Sequence, residues 1–175
     1  LEFRRVLFRS PPWCVSLLIA VCGALLGVMP LVGAGILGAA ACGIMGILIP
    51  YARVLAAKKP QEYSAWSFLI GLGWIALGIL FLGIMALFVS TPSEIRALTM
   101  MWLPIIGAGG FAQLFVGALS YLMPVVIGGG PSVVRIGIAI LDWQFALRVA
   151  LRNGALLLQV VLFCAAASTA VTTLR

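Results

Sequence analysis

The sequence predicts an all-α fold, a polytopic bundle of about five transmembrane helices, and three observations carry that prediction. Hydrophobic residues make up 64% of the chain and charged residues only 9%, against roughly 25% charged in a soluble domain. Mean hydropathy is +1.25. Apolar runs long enough to cross a hydrocarbon core about 30 Å thick recur along the 175 residues. A water-soluble fold of this size leaves too much of its surface outside to hide so many apolar side chains. A bilayer removes that difficulty by serving as the solvent.

Leu1 to Ser10 stands apart from the rest, with Arg4, Arg5 and Arg9 in ten residues and no initiator Met. Glu2–Ser10, EFRRVLFRS, resembles the conceptual translation of a common sequencing adapter. That resemblance implies a non-native leader at 1–10 and a natural segment, 11–175, that is a fragment of a larger protein. The physical alternative is a basic leader or the n-region of a signal peptide. Against it, no small-residue cleavage site stands out from the Ala/Gly background.

The first apolar run covers about Trp13 to Met29 and ends at Pro30, which cannot donate to a continuing helix. The second covers about Leu31 to Ala57, with Pro50 near its end. Arg53, Lys58, Lys59 and Pro60 form the loop that follows. The third covers about Ala65 to Val89. Thr91-Pro92-Ser93-Glu94 then makes a compact turn in which Ser93 is a candidate cap. The fourth run, about Ala97 to Ile127, is interrupted by Pro104 and Pro124 and stopped by Gly128-Gly129-Gly130-Pro131. Ser132 to Asn153 mixes Arg135, Asp142, Arg148 and Arg152 with apolar residues, a partly amphipathic segment that lies at the interface or enters the next helix. The fifth run covers about Gly154 to Thr173.

Charge sets the orientation. The net charge is +7, and +5 without the leader. Arg53, Lys58 and Lys59 fall in one loop, and Arg135, Arg148 and Arg152 in the next loop on the same side. The positive-inside rule therefore puts loops 53–63 and 128–152 in the cytoplasm. Pro30, the 91–96 turn and the C-terminus face outward. Tyr63 and Trp66 suit an aromatic belt at the interface. No basic patch interleaves with aromatics, so the charge does not point to nucleic acid.

Candidate chemistry is sparse. Cys14, Cys22, Cys42 and Cys164 lie inside apolar runs without paired spacing, and there is no histidine. The six methionines form no Met-x-x-Met cluster. Beyond the leader the carboxylates are Glu62, Glu94 and Asp142, none of them central in a membrane run. Neither paired-carboxylate catalysis nor an intramembrane proton relay is visible. Gly33-Ala34-Gly35-Ile36-Leu37-Gly38 matches G-x-G-x-x-G, but it lacks the preceding strand a dinucleotide loop requires. Gly35, Gly38, Cys42 and Gly46 instead follow helical steps and make a small-residue packing stripe.

The fourth run is the most informative. Gln113, Gly117, Ser120 and Pro124 recur at helical spacing, with Gly110 one turn earlier and Tyr121 on the flank. An amide in lipid needs a partner, so this face points into the bundle. It is either a structural seam or a pocket wall made of Gln113, Gly117, Ser120, Tyr121 and Gln159, with Gln159 as the partner of Gln113.

Gly110 to Pro124 (GFAQLFVGALSYLMP), followed by Val125 to Pro131 (VVIGGGP), resembles the membrane region preceding the cupredoxin domains of certain bacterial multicopper oxidases, nitrite-reductase-like ones included. Tyr63–Phe68 (YSAWSF) and Arg152-Asn153-Gly154 fit the same resemblance, which covers roughly residues 30–165. It implies a module related in layout to haem-copper-oxidase-like membrane proteins, in a bacterial plasma membrane. The segment then serves as anchor or redox-associated scaffold, with further helices and a cupredoxin domain as partners. Copper or haem would belong to the parent oxidoreductase through residues absent here, and the segment alone would hold neither and not be catalytic. Part of a transporter or permease, and a non-enzymatic assembly factor, are the alternatives.

Overall fold

The computed structural model describes residues 10–58, 62–128 and 130–173, and the side chains of residues 11–162 and 165 within them. The leader up to Arg9, Lys59 and the C-terminal Arg175 lie outside the described residues. Six helices stand among the described residues: α1 Ser10–Leu26, α2 Met29–Lys58, α3 Tyr63–Phe88, α4 Pro92–Ile127, α5 Pro131–Asp142 and α6 Phe145–Thr173. The fold is all-α.

Four of these helices, α2, α3, α4 and α6, are long and apolar enough to span a membrane. Against the expected five or so spans, α1 is a shorter apolar helix: its described 17 residues extend about 25 Å at 1.5 Å per residue, the lower end of a spanning length. The helix stops before Pro30 is reached. Gly27 takes a left-handed φ of 69°, the Gly27 N–H donates to Ala24 O, and the Val28 N–H donates to Gly23 O. That pair of bonds is a glycine-terminated helix end that satisfies two orphan carbonyls. Pro30 instead sits in the first turn of α2, where a missing N–H costs nothing.

The interior prolines do not break their helices. Around Pro50 and Pro104 the chain opens into π turns, Ile44–Leu48 in α2 and Ile106–Phe111 in α4. Each π turn widens the hydrogen-bonding step, with Ile49 N–H donating to Ile44 O and Ala112 N–H to Gly107 O. Such bulges relieve a disturbed i→i−4 ladder without ending the helix. At the start of α4 the cap is Thr91 rather than Ser93: Thr91 Oγ1 accepts from the Glu94 N–H at 3.4 Å, and the Glu94 carboxylate accepts from the Ser90 N–H at 3.2 Å. The last run also starts earlier than its apolar stretch suggests. Segment 128–152 holds all of α5 and the first two turns of α6, which begins at Phe145. Gln144 bridges them with a positive φ of 54°.

The helices α1 to α4 pack in chain order, each against the next, and α6 joins against α3 and α4. Glycine permits the closest approaches. A Cβ on Gly35 would lie 2.4 Å from Ala20 N, and one on Gly38 would lie 2.6 Å from Ser16 Oγ. Gly33 of the same helix faces Gly83 O of α3 at 2.8 Å by the same measure. The small-residue stripe of α2 is therefore a packing face at Gly35 and Gly38. Gly46 does not belong to it, having open space around it. One apolar cluster, Trp74, Trp102, Ile105 and Leu156, joins α3, α4 and α6. Most other large apolar side chains face outward, among them Leu25, Phe88 and Val126, each more than three-quarters exposed. In water such a surface is an aggregation hazard; against lipid it is what a membrane bundle presents.

Candidate functional site at the α3–α4 seam and the basic end

The α3–α4 seam is built from small residues on both helices. Ser67 Oγ, fully buried, donates to the main-chain carbonyl of Gln113 at 2.9 Å. Gly117 lies over Ser67, where an added Cβ would stand 3.1 Å from Ser67 Cβ, and Gly71 lies over Gly110 O and Leu114. Gln113, Gly117 and Pro124 are buried, so the face read from their spacing does point inward. Ser120 is half-buried and returns its hydroxyl to Val116 O at 2.8 Å, a local bond within the helix.

The structure separates the five residues offered as one pocket wall. Gln113 is 1% exposed, and its Oε1 accepts no hydrogen bond. Gln159 is exposed on α6, while Leu156 and Val160 of the same helix pack at the Trp74 cluster. Tyr121 is also exposed. Gly117 and Tyr121 share a cleft of about 440 Å³ with Tyr51, Glu62, Ser64, Ala65, Phe68, Ala118 and Leu122; Gln113, Ser120 and Gln159 do not line it. Two further grooves, one beside Trp13 and Leu72 and one between Pro124 and Gly137, are lined by apolar residues and glycine alone.

A second constellation forms where the two basic segments meet. Asp142 Oδ1 accepts from the Tyr63 N–H at 2.8 Å, which places a carboxylate on the positive N-terminal end of α3. The Arg152 guanidinium donates to Tyr63 OH at 3.3 Å, and the Arg148 guanidinium stands 5.7 Å from the centre of the same ring. Tyr63 is thereby 3% exposed, so it is not a residue of an exposed aromatic belt. About three turns further along α3, Trp74 Nε1–H donates to Asn153 Oδ1 at 2.7 Å, and Asn153 Nδ2–H donates to Val149 O at 2.7 Å. Asp142, Arg148, Arg152 and Asn153 thus clamp α5 and α6 onto α3. Their partners are 79 to 89 residues away in sequence, a separation that local spacing cannot reveal. The one signal was an isolated Asp among arginines.

These contacts bind helices to one another. Among the described residues, no group of three or more His, Cys, Asp or Glu side chains converges as a metal site would. Compared with known protein families, curated proteins and solved structures, the chain finds no match.

Proposed function

We propose that this chain is a non-catalytic membrane module, the anchor or redox-associated scaffold of a multicopper-oxidase-like protein. The observation that carries the scaffold half of this reading is the clamp on α3. The polar side chains of the basic end are committed to holding helices: Asp142 to a backbone N–H, Arg152 to a phenol, Asn153 to an indole. Each of these contacts orients one helix against another. The extended apolar exterior supports a lipid-embedded position with room for further helices. The copper-oxidase half rests on the resemblance across Gly110–Pro131. Loops 53–63 and 128–152 share one end of the bundle, and the positive-inside rule makes that end cytoplasmic.

A second reading, part of a transporter or permease, draws on the unpartnered Oε1 of Gln113, since polar groups at membrane depth mark many transport pathways. One observation separates the two. Sequencing the transcript that encodes the chain should show His-Cys-His copper-ligand motifs in the same reading frame. A second homologous set of membrane helices in their place would favour the transporter and sink the copper-oxidase reading.

A further inference from the structure

The cleft between α2, α3 and α4 combines aromatic rings with a carboxylate that forms no ion pair among the described residues. Tyr51 and Phe68 meet edge to face, ring centres 5.1 Å apart, and Tyr121 stands across from them with half its surface exposed. Gly117 and Ala118 also line the cleft, and neither side chain reaches far into it. Glu62 sits at the rim, on the residue before α3, and its side chain does not cap that helix. Among the described residues no ion pair engages it.

An aromatic face attracts a cation through its quadrupole, and most strongly one that sheds water readily. A carboxylate beside the rings adds charge attraction while the rings exclude water. The chain uses this chemistry itself elsewhere, with Arg148 over Tyr63. Among the described residues no cation of the chain occupies the rings of Tyr51, Phe68 or Tyr121. An apolar occupant would leave the Glu62 carboxylate unused at the rim, and an anion would be repelled by it. We infer that this cleft binds a quaternary ammonium group, with Tyr51, Phe68 and Tyr121 as its walls and Glu62 as its counter-charge. The trimethylammonium of a choline headgroup and that of a small free amine have the same chemistry here.

The test uses the full chain in uncharged maltoside micelles, with tetramethylammonium as the probe and saturation-transfer NMR as the readout. Saturable binding is expected, weakened about twofold to fivefold in Glu62→Gln and about threefold in Tyr121→Leu or Phe68→Leu. Choline should bind at least fivefold more tightly than its neutral carbon isostere, 3,3-dimethylbutanol. Glu62 and Tyr121 are exposed, so both variants keep the wild-type melting profile, and Phe68→Leu serves as an independent check. Added phosphatidylcholine that displaces the probe, where phosphatidylglycerol does not, identifies a lipid headgroup as the ligand. Probe binding that phosphatidylcholine leaves intact identifies a small free amine. Absence of saturable binding, equal affinity for choline and its isostere, or an unchanged affinity in Glu62→Gln overturns the inference.

Discussion

Replacing Gly35 by Ala tests whether α1 and α2 pack as closely as the structure shows. The new Cβ would lie 2.4 Å from Ala20 N and 2.6 Å from Ser16 O. Both are backbone atoms of α1, so no side chain can rotate away. An ordinary carbon contact needs about 3.5 Å, so the helices must separate by about 1 Å. A gap of that size forfeits a quarter to a half of the dispersion energy of each contact across it. Overpacking of this kind costs about 1–3 kcal/mol. Alanine also favours the helix by about 1 kcal/mol over glycine, which partly masks the clash. Gly73→Ala supplies the control, because Gly73 lies within α3 with nothing within 4 Å of its added Cβ. Unfolding of both variants in mixed micelles, followed by circular dichroism as denaturing detergent is raised, isolates the clash as their difference. Gly35→Ala should be less stable than Gly73→Ala by about 1–3 kcal/mol. Equal midpoints for the two variants would show that α1 does not approach α2 at Gly35, and the reasoning would be wrong.

Three other outcomes follow from the clamp and the seam. Asp142→Ala should destabilise the bundle by about 0.5–2 kcal/mol, the range for losing a helix cap, and Asp142→Asn should restore most of it by keeping an acceptor; equilibrium unfolding measures both. A double-mutant cycle of Trp74→Phe with Asn153→Leu should give a coupling of about 0.6 kcal/mol and no more than about 1.7, the span for hydrogen bonds within membrane bundles; strictly additive effects would mean that the 2.7 Å bond contributes nothing. Gly117→Leu should lower the unfolding midpoint, since its side chain enters Ser67 and the Ser64 carbonyl, whereas an unchanged midpoint would argue against a closed α3–α4 seam.

Much of the fold was legible because lipid imposes a simple length rule. The runs around 31–57, 65–89 and 97–127 each became one long helix. The inward face of α4 was legible because Gln113, Gly117 and Pro124 share a period and lipid tolerates no outward amide. The interior prolines were less so. Their steric effect is local, but the π turns that accommodate them at Ile44–Leu48 and Ile106–Phe111 depend on packing against α3. The end of α1 depended on a left-handed Gly27 that composition did not distinguish from the other glycines of its run. The pairing of Gln113 with Gln159 was not legible, because Gln159 is exposed on α6 and spacing within one helix does not say which residue of another it meets. The Tyr63 clamp and the Tyr51–Glu62–Tyr121 cleft join separate helices, and no single-helix pattern encodes such meetings.

A multi-pass bundle with both basic segments on one face of the membrane fixes which positions a reagent outside the cell can reach. Single cysteines placed at Lys58, Ser93 and Arg135 of a cysteine-free variant, in intact bacteria, test it most directly with a membrane-impermeant maleimide. The cysteine at Ser93 should label from outside, and those at Lys58 and Arg135 only after the cells are permeabilised. Labelling of Lys58 and Ser93 from the same side, or of Lys58 and Arg135 from opposite sides, would contradict the topology and the clamp together.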